Sequence, residues 1–182
     1  MTKKKKPVKS PAQVKAHSIF ISDEITPESL AIVPELLELS VCKPETPLNV
    51  YICSPGGQEE VGFAIYDALM AMPNSITTYG YGQVCSIASL IFQAGDRRLL
   101  SENSSFMIHN GSVMLPPNLD FDDFKQIYVT CLKNNHRYYE ALSKNTHIPI
   151  SKITEICEKE YFYSADEAVN IGLADSVGFS FK

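Results

Sequence analysis

Short β-branched and aromatic runs alternate with helical patterns along this chain, and that alternation restricts its fold more than any other feature. Ile19-Phe20-Ile21 reads as a first strand, Leu48 to Cys53 (LNVYIC) as a buried second one, and Asn74 to Tyr79 as a third. Arg97 to Leu100 and Ser105 to His109 follow as two shorter strands. Helical patterns lie between them over about Thr26 to Ser40, Glu60 to Met72 and Ser86 to Ala94. Strands and helices in alternation build an α/β fold with a largely parallel sheet and right-handed crossovers. The 182 residues suit one domain, and 45% hydrophobic with 20% charged residues is ordinary for a globular protein.

Local chemistry sets the expected boundaries. Thr26-Pro27-Glu28 places an N-cap before a proline at the first helical position. Ile32, Val33, Leu36, Leu37 and Leu39 are expected to face inward. Pro34 interrupts that pattern, so a bend or a late helix start is expected there, because an internal proline costs ~3 kcal/mol. Ser151 is expected to cap a short helix reaching Glu158. Ser164-Ala165-Asp166-Glu167 is a capping box, opening a last helix that ends near Gly172.

Asp120 to Leu142 is the longest helical pattern, with Phe121, Phe124, Ile127, Tyr128, Cys131 and Leu132 at helical spacing. A helix of that length projects from a compact α/β domain. Its apolar stripe then needs a partner surface, which argues for an oligomer.

Charge is unevenly spread. Lys3, Lys4, Lys5, Lys6, Lys9 and Lys15 stand in the first fifteen residues, with no acid among them. The remainder holds 10 basic against 21 acidic residues, a net charge of −11. Residues 1–16 are therefore expected to be a solvated basic tail and 17–182 an acidic body, which disfavours nucleic acid as a partner. No apolar run reaches the roughly 18–20 residues that span a bilayer, so no membrane partner is expected. The five cysteines (Cys42, Cys53, Cys85, Cys131 and Cys157) show no C-x-x-C spacing. They read as reduced thiols in a cytoplasmic setting rather than as disulfides or zinc ligands. No histidine cluster has metal-ligand spacing, and no glycine precedes a lysine, so a metal site and a Walker A loop are both unexpected.

One stretch concentrates the chemistry. Gly80 and Gly82 lead to Ser86 at the head of the apolar segment Ile87 to Ala94, and Phe106-Met107-Ile108 leads to His109. Ser86 reads either as a helix cap or as a nucleophile whose oxyanion is stabilised by backbone N–H groups. The G-x-S-x-G elbow is absent. Cys85 is the neighbouring alternative, but adjacent side chains point apart, so only one of the two can face a base; Ser86 is favoured. His109 is the best candidate base, since His136 lies in a polar helical stretch and His147 in a loop. Gly56-Gly57, directly after a strand, reads either as a tight turn or as an oxyanion-hole donor, with Ile87 N–H as the second.

Several of these motifs together resemble one family. Ser54-Pro55-Gly56-Gly57, Ala64-Ile65-Tyr66-Asp67, Gly82-Gln83-x-x-Ser86, Ala94-Gly95, Met107-Ile108-His109 and Tyr161-Phe162-Tyr163-Ser164-Ala165-x-Glu167-Ala168 stand in the order and spacing of the proteolytic subunits of Clp protease. The resemblance spans about residues 17 to 178. It implies a crotonase-like (ClpP-like) βαβ superhelix with a projecting handle helix over about 120–143. It further implies a serine endopeptidase that forms heptameric rings, stacked face to face as a tetradecamer, and degrades unfolded polypeptides. No cofactor is implied, because ATP is used only by a partner AAA+ unfoldase. Carried over by motif, Ser86 matches the nucleophile, His109 the base, and Gly57 and Ile87 the oxyanion-hole donors.

The third member departs from the family. An aspartate in an Arg-Asp-Arg-Phe context is usual, and here Lys159-Glu160-Tyr161-Phe162 aligns with it, placing Glu160 in the triad. The extra methylene shifts the carboxylate by ~1.5 Å, and misplacement of that order costs ~10²-fold in rate. A working but slower triad is expected. Asn110-Gly111 replaces Gln-Pro after the histidine, Val84-Cys85 replaces two alanines before the serine, and Met114-Leu115-Pro116-Pro117 replaces a glycine-rich β-forming segment. Weaker alternatives are a non-catalytic ring subunit, a crotonase-type acyl-CoA enzyme and a Ser–Lys signal-peptide peptidase relative.

Overall fold

The apolar runs come together as one largely parallel sheet in the computed structural model, which describes residues 15–179. The lysine-rich segment expected as a tail lies almost wholly outside those residues. Strands β1 (His17–Ser22), β2 (Leu48–Ser54), β3 (Ile76–Cys85), β4 (Arg97–Leu100) and β7 (Ser176–Val177) lie side by side in that order, all parallel. Strand β5 (Ser105–Met107) pairs with the far end of β3, and β6 (Tyr163–Ser164) pairs antiparallel with β5.

Strand β3 is longer than its propensity predicts. It continues past Tyr79 through both glycines to Cys85. Its first half, Thr77 to Gly80, pairs with β4, and its second half, Gln83 to Cys85, pairs with β5. Ile52 faces Gly80 and Ser54 faces Val84, so two steps of β2 match four of β3. The extra length bulges near Gly82 and re-aims the end of β3 toward the last helices. Tertiary pairing on both sides overrides the weak strand preference of glycine.

The helices cover one face. Residues Pro27–Ile32 form a 3₁₀ turn, and helix α1 (Val33–Cys42) starts only at Val33, with Pro34 in its first turn. That late start satisfies the proline, which has no N–H to leave unpaired. Leu36 and Leu39 are buried as expected, whereas Leu37 is exposed, because the helix begins later and its apolar face is rotated. Helix α2 (Glu59–Met70) buries Val61, Phe63, Ile65 and Leu69, and α3 (Ile87–Phe92) is buried throughout. These side chains pack on Leu48, Val50 and Ile52 of β2. Each fully buried aliphatic side chain is worth about 1.5–3 kcal/mol.

Helix α4 (Phe121–Thr146) spans 26 residues, or roughly 39 Å at 1.5 Å per residue. Asp120 caps it by accepting from Asp123 N–H at 2.8 Å. Only its C-terminal part joins the core, through Tyr138, Tyr139 and Leu142. Its first half projects, with Phe121, Phe124, Tyr128 and Leu132 exposed. Helix α5 (Ile150–Cys157) begins after Pro149 rather than at Ser151. Ser164 caps α6 (Ala165–Asn170) in the expected capping box, bonding Glu167 through both backbone and side chain.

Candidate active site

The ends of three parallel strands meet at one edge of the sheet. Strand β2 leads into the Pro55-Gly56-Gly57 turn, β3 ends at Cys85 next to Ser86, and β5 ends at Met107, two residues before His109. Sites of α/β sheets form at these carboxyl ends, where the connecting turns converge.

Ser86 sits between β3 and α3 with φ 55° and ψ −131°. No hydrogen bond from its side chain caps the helix, so the capping role weighed from the sequence is absent. A non-glycine residue in that region is strained by of order 1–3 kcal/mol. The strain is held by surrounding bonds. Ser86 N–H donates to Met107 C=O at 2.9 Å. Its own carbonyl accepts from Ser89 N–H at 3.0 Å, Ser89 Oγ at 2.5 Å and Tyr138 Oη at 3.0 Å. The sharp strand-to-helix turn thus presents Oγ outward without the usual glycine signature.

His109 Nε2 lies 2.9 Å from Ser86 Oγ. That is within reach for proton transfer. His109 Nδ1 lies 3.4 Å from Glu160 Oε1. This is longer than the ~2.7–2.9 Å of a charge-assisted hydrogen bond, and the Glu160 side chain is 75% exposed against 19% for His109. All three residues named from the sequence are therefore adjacent, but the second contact is loose and wet. Cys85 points into the core, where burial pushes its thiol pKa up. His136 instead pairs with Glu140 on the exposed side of α4, and His147 is an exposed left-handed cap at the end of that helix.

The glycine turn after β2 lies against Ser86. Gly56 and Gly57 have φ of 101° and 152°. A Cβ on Gly56 would fall 2.6 Å from Ser86 Cβ, and one on Gly57 would fall 2.2 Å from Ile25 C=O. Glycine is required at both positions by backbone conformation and by close approach. Ile25 and Gly57 form a bridge in which Ile25 N–H donates to Gly56 C=O at 2.8 Å and Gln58 N–H to Ile25 C=O at 2.9 Å. That bridge leaves Gly57 N–H outside its own pairing. Ile87 is the first residue of α3, so its N–H has no partner within the helix.

The segment after the histidine is fastened by residues that sequence patterns do not reveal. Asn110 N–H donates to Cys157 C=O at 3.1 Å, and Asn110 Oδ1 accepts from the Tyr139 hydroxyl. Gly111 N–H donates to Asn135 Oδ1 at 2.8 Å. Asn135, Tyr138 and Tyr139 lie outside the apolar stripe of the long helix, and Ser89 is a single polar residue within the apolar run of α3. The Tyr138-Tyr139 pair in an otherwise polar stretch was the only signal. Tyr138 is buried, which raises its hydroxyl pKa well above the ordinary value and keeps it a donor. Burial likewise pushes the Cys157 thiol up to about 12. Among the described residues no cluster of histidine, cysteine and acidic side chains could hold a metal.

The Clp protease family model matches residues 5–180 of this chain. The ATP-dependent Clp protease proteolytic subunit of Deinococcus radiodurans is 32% identical over 167 residues, covering 90% of this chain and 81% of that protein. ATP-dependent Clp protease proteolytic subunit 1 of Chlamydia felis is 31% identical over 172 residues, covering 93% and 84%. Subunit 2 of Chlamydia pneumoniae is similar to the same extent, 31% over 172 residues.

Proposed function

The chain belongs to the Clp protease family, and from that membership we propose that it works as the proteolytic subunit of an ATP-dependent serine endopeptidase, with Ser86, His109 and Glu160 as its triad. The observation that carries the assignment of roles is the 2.9 Å contact between His109 Nε2 and Ser86 Oγ.

In this reading His109 Nε2 takes the Ser86 hydroxyl proton as Oγ attacks the scissile carbonyl carbon. Negative charge moves to the carbonyl oxygen, where Gly57 N–H and Ile87 N–H receive it. The imidazolium, steadied by Glu160 at Nδ1, gives its proton to the leaving amine nitrogen, and the C–N bond breaks. Water, deprotonated by Nε2, then hydrolyses the acyl-serine. No step needs a metal or an organic cofactor.

Unfolded polypeptide is the substrate class, and 17–182 acts as one peptidase domain. The ATP in the relatives' names is consumed by a partner unfoldase. The projecting half of α4, with its exposed Phe121, Phe124, Tyr128 and Leu132, serves assembly of a heptameric ring and its stacked tetradecamer. No helix among the described residues is long and apolar enough to cross a membrane, and a cytoplasmic site of action fits the five free thiols.

The test is reaction of the purified protein with a fluorophosphonate probe. Labelling of wild type that disappears in Ser86→Ala is the expected result. Wild type that stays unlabelled, or labelling that survives Ser86→Ala, overturns the assignment.

A further inference from the structure

A groove of about 810 Å³ opens beside Gly57. Glu24, Glu59 and Glu60 line it, and among the described residues no lysine or arginine does. Glu59 is placed by its surroundings. It is the first residue of α2, two residues after Gly57, so the two Cα atoms are at most ~7 Å apart. Its Oε1 lies 2.3 Å from where a Cβ on Gly111 would stand, and Gly111 is two residues beyond His109. The carboxylate thus lies between the turn that carries Gly57 and the segment that follows His109. Asn134 lines the same groove.

The charged groups facing Glu59 are Glu60, Arg137 and His109. Arg137 is engaged elsewhere, its guanidinium lying 3.7 Å from the centroid of the Phe63 ring. Burial and Glu60 together raise the Glu59 pKa above the ordinary carboxylate value, which marks a carboxylate short of compensating charge.

A substrate carbonyl seated at Gly57 and Ile87 and facing Ser86 brings the side chain of its own residue to this groove. We propose that the groove receives that side chain and that Glu59 makes it select lysine or arginine. The inference rests on the peptidase reading above. An apolar side chain there would strip water from Glu59 and leave its charge unpaired, which is costly. A cationic side chain restores the pairing, and Glu24 and Glu60 attract it from a distance. Discrimination then comes as much from penalising the wrong residue as from binding the right one.

Matched fluorogenic peptides that differ only in the residue before the scissile bond (arginine, leucine or glutamate) test this on the full-length protein. Each is assayed with wild type, Glu59→Gln and Glu59→Lys, alongside fluorophosphonate labelling of Ser86. Wild type is expected to favour arginine over leucine about tenfold in kcat/KM. In Glu59→Gln that ratio collapses, and Glu59→Lys favours glutamate over arginine. Ratios within one variant cancel any loss of folded fraction. Labelled wild type that favours leucine, or an arginine preference that survives both substitutions, overturns the proposal while the peptidase reading stands. Absence of labelling overturns both.

Discussion

Tyr138, in the C-terminal part of a helix whose first half projects from the fold, donates its hydroxyl to the backbone carbonyl of Ser86 at 3.0 Å. Ser89 Oγ lies 2.7 Å from the same hydroxyl and 2.5 Å from the same carbonyl. Two hydroxyl protons are shared among three oxygens at the strained turn. The long helix therefore touches the backbone of Ser86, and its position sets how that serine is presented.

Tyr138→Phe removes one of those protons. Labelling of Ser86 by fluorophosphonate is expected to slow about tenfold, with ~1–2 kcal/mol lost from the unfolding free energy. Stopped reaction time courses and urea denaturation measure the two effects separately. Lost stability with an unchanged labelling rate would show that the tyrosine only packs.

Glu160 is expected to matter less than a buried triad carboxylate. Removing a buried one costs about 10⁴-fold, but Glu160 stands 3.4 Å from His109 and is mostly in water. Glu160→Gln should lower kcat roughly 10- to 10²-fold and leave KM nearly unchanged. A loss near 10⁴-fold in peptide hydrolysis would mean that the loop closes on His109 when substrate binds.

Asp175 clamps the sheet's last connection. Its carboxylate accepts from Arg98 N–H at 2.7 Å and from Arg98 Nη2 at 2.5 Å, while Arg98 also reaches Gln93. Burial disfavours the Asp175 charge, but the Arg98 bonds and charge outweigh it and hold the pKa below the ordinary value. A carboxyl with a depressed folded pKa stabilises above its unfolded value of about 3.9, and that stability is lost as pH falls through the folded value. Asp175→Asn should therefore cost about 1 kcal/mol at pH 7, a figure reduced for solvent screening of the partly exposed carboxylate. The difference should fade as pH falls below the ordinary carboxylate value of about 3.9. Urea midpoints of both proteins at pH 7 and below that value check it.

The exposed stripe of α4 predicts an assembly defect. Phe124 and Tyr128 stack with ring centroids 6.3 Å apart on the exposed half. A double change, Phe124→Glu with Leu132→Glu, is expected to dissociate the oligomer without lowering helix content. Sedimentation velocity and circular dichroism measure this, and a wild type that sediments as a monomer would remove the role given to the stripe.

Particular residues show where local signals sufficed. The Ser164–Glu167 capping box, the long helix expected over Asp120 to Leu142 (which runs on to Thr146) and the strands at Leu48 and Arg97 follow from spacing and side-chain type, because those effects act within a few residues. Gly80 and Gly82 misled, because β3 is held by β2 on one side and by β4 and β5 on the other. Pro34 announced a break, but only the folded chain shows that the helix starts there and turns Leu37 outward.

The candidate site divides along the same line. Ser86, His109, Gly57 and Glu160 are identifiable by residue type and motif, since nucleophile, base and oxyanion donor chemistry is carried by single residues. Tertiary structure alone brings His109 Nε2 to 2.9 Å from Ser86 Oγ and leaves Glu160 at 3.4 Å. It also recruits Tyr138 to the serine carbonyl and lodges Glu59 against Gly111. Contacts between residues 23 to 52 positions apart depend on how sheet register and helix packing close the chain, and no local pattern encodes that closure.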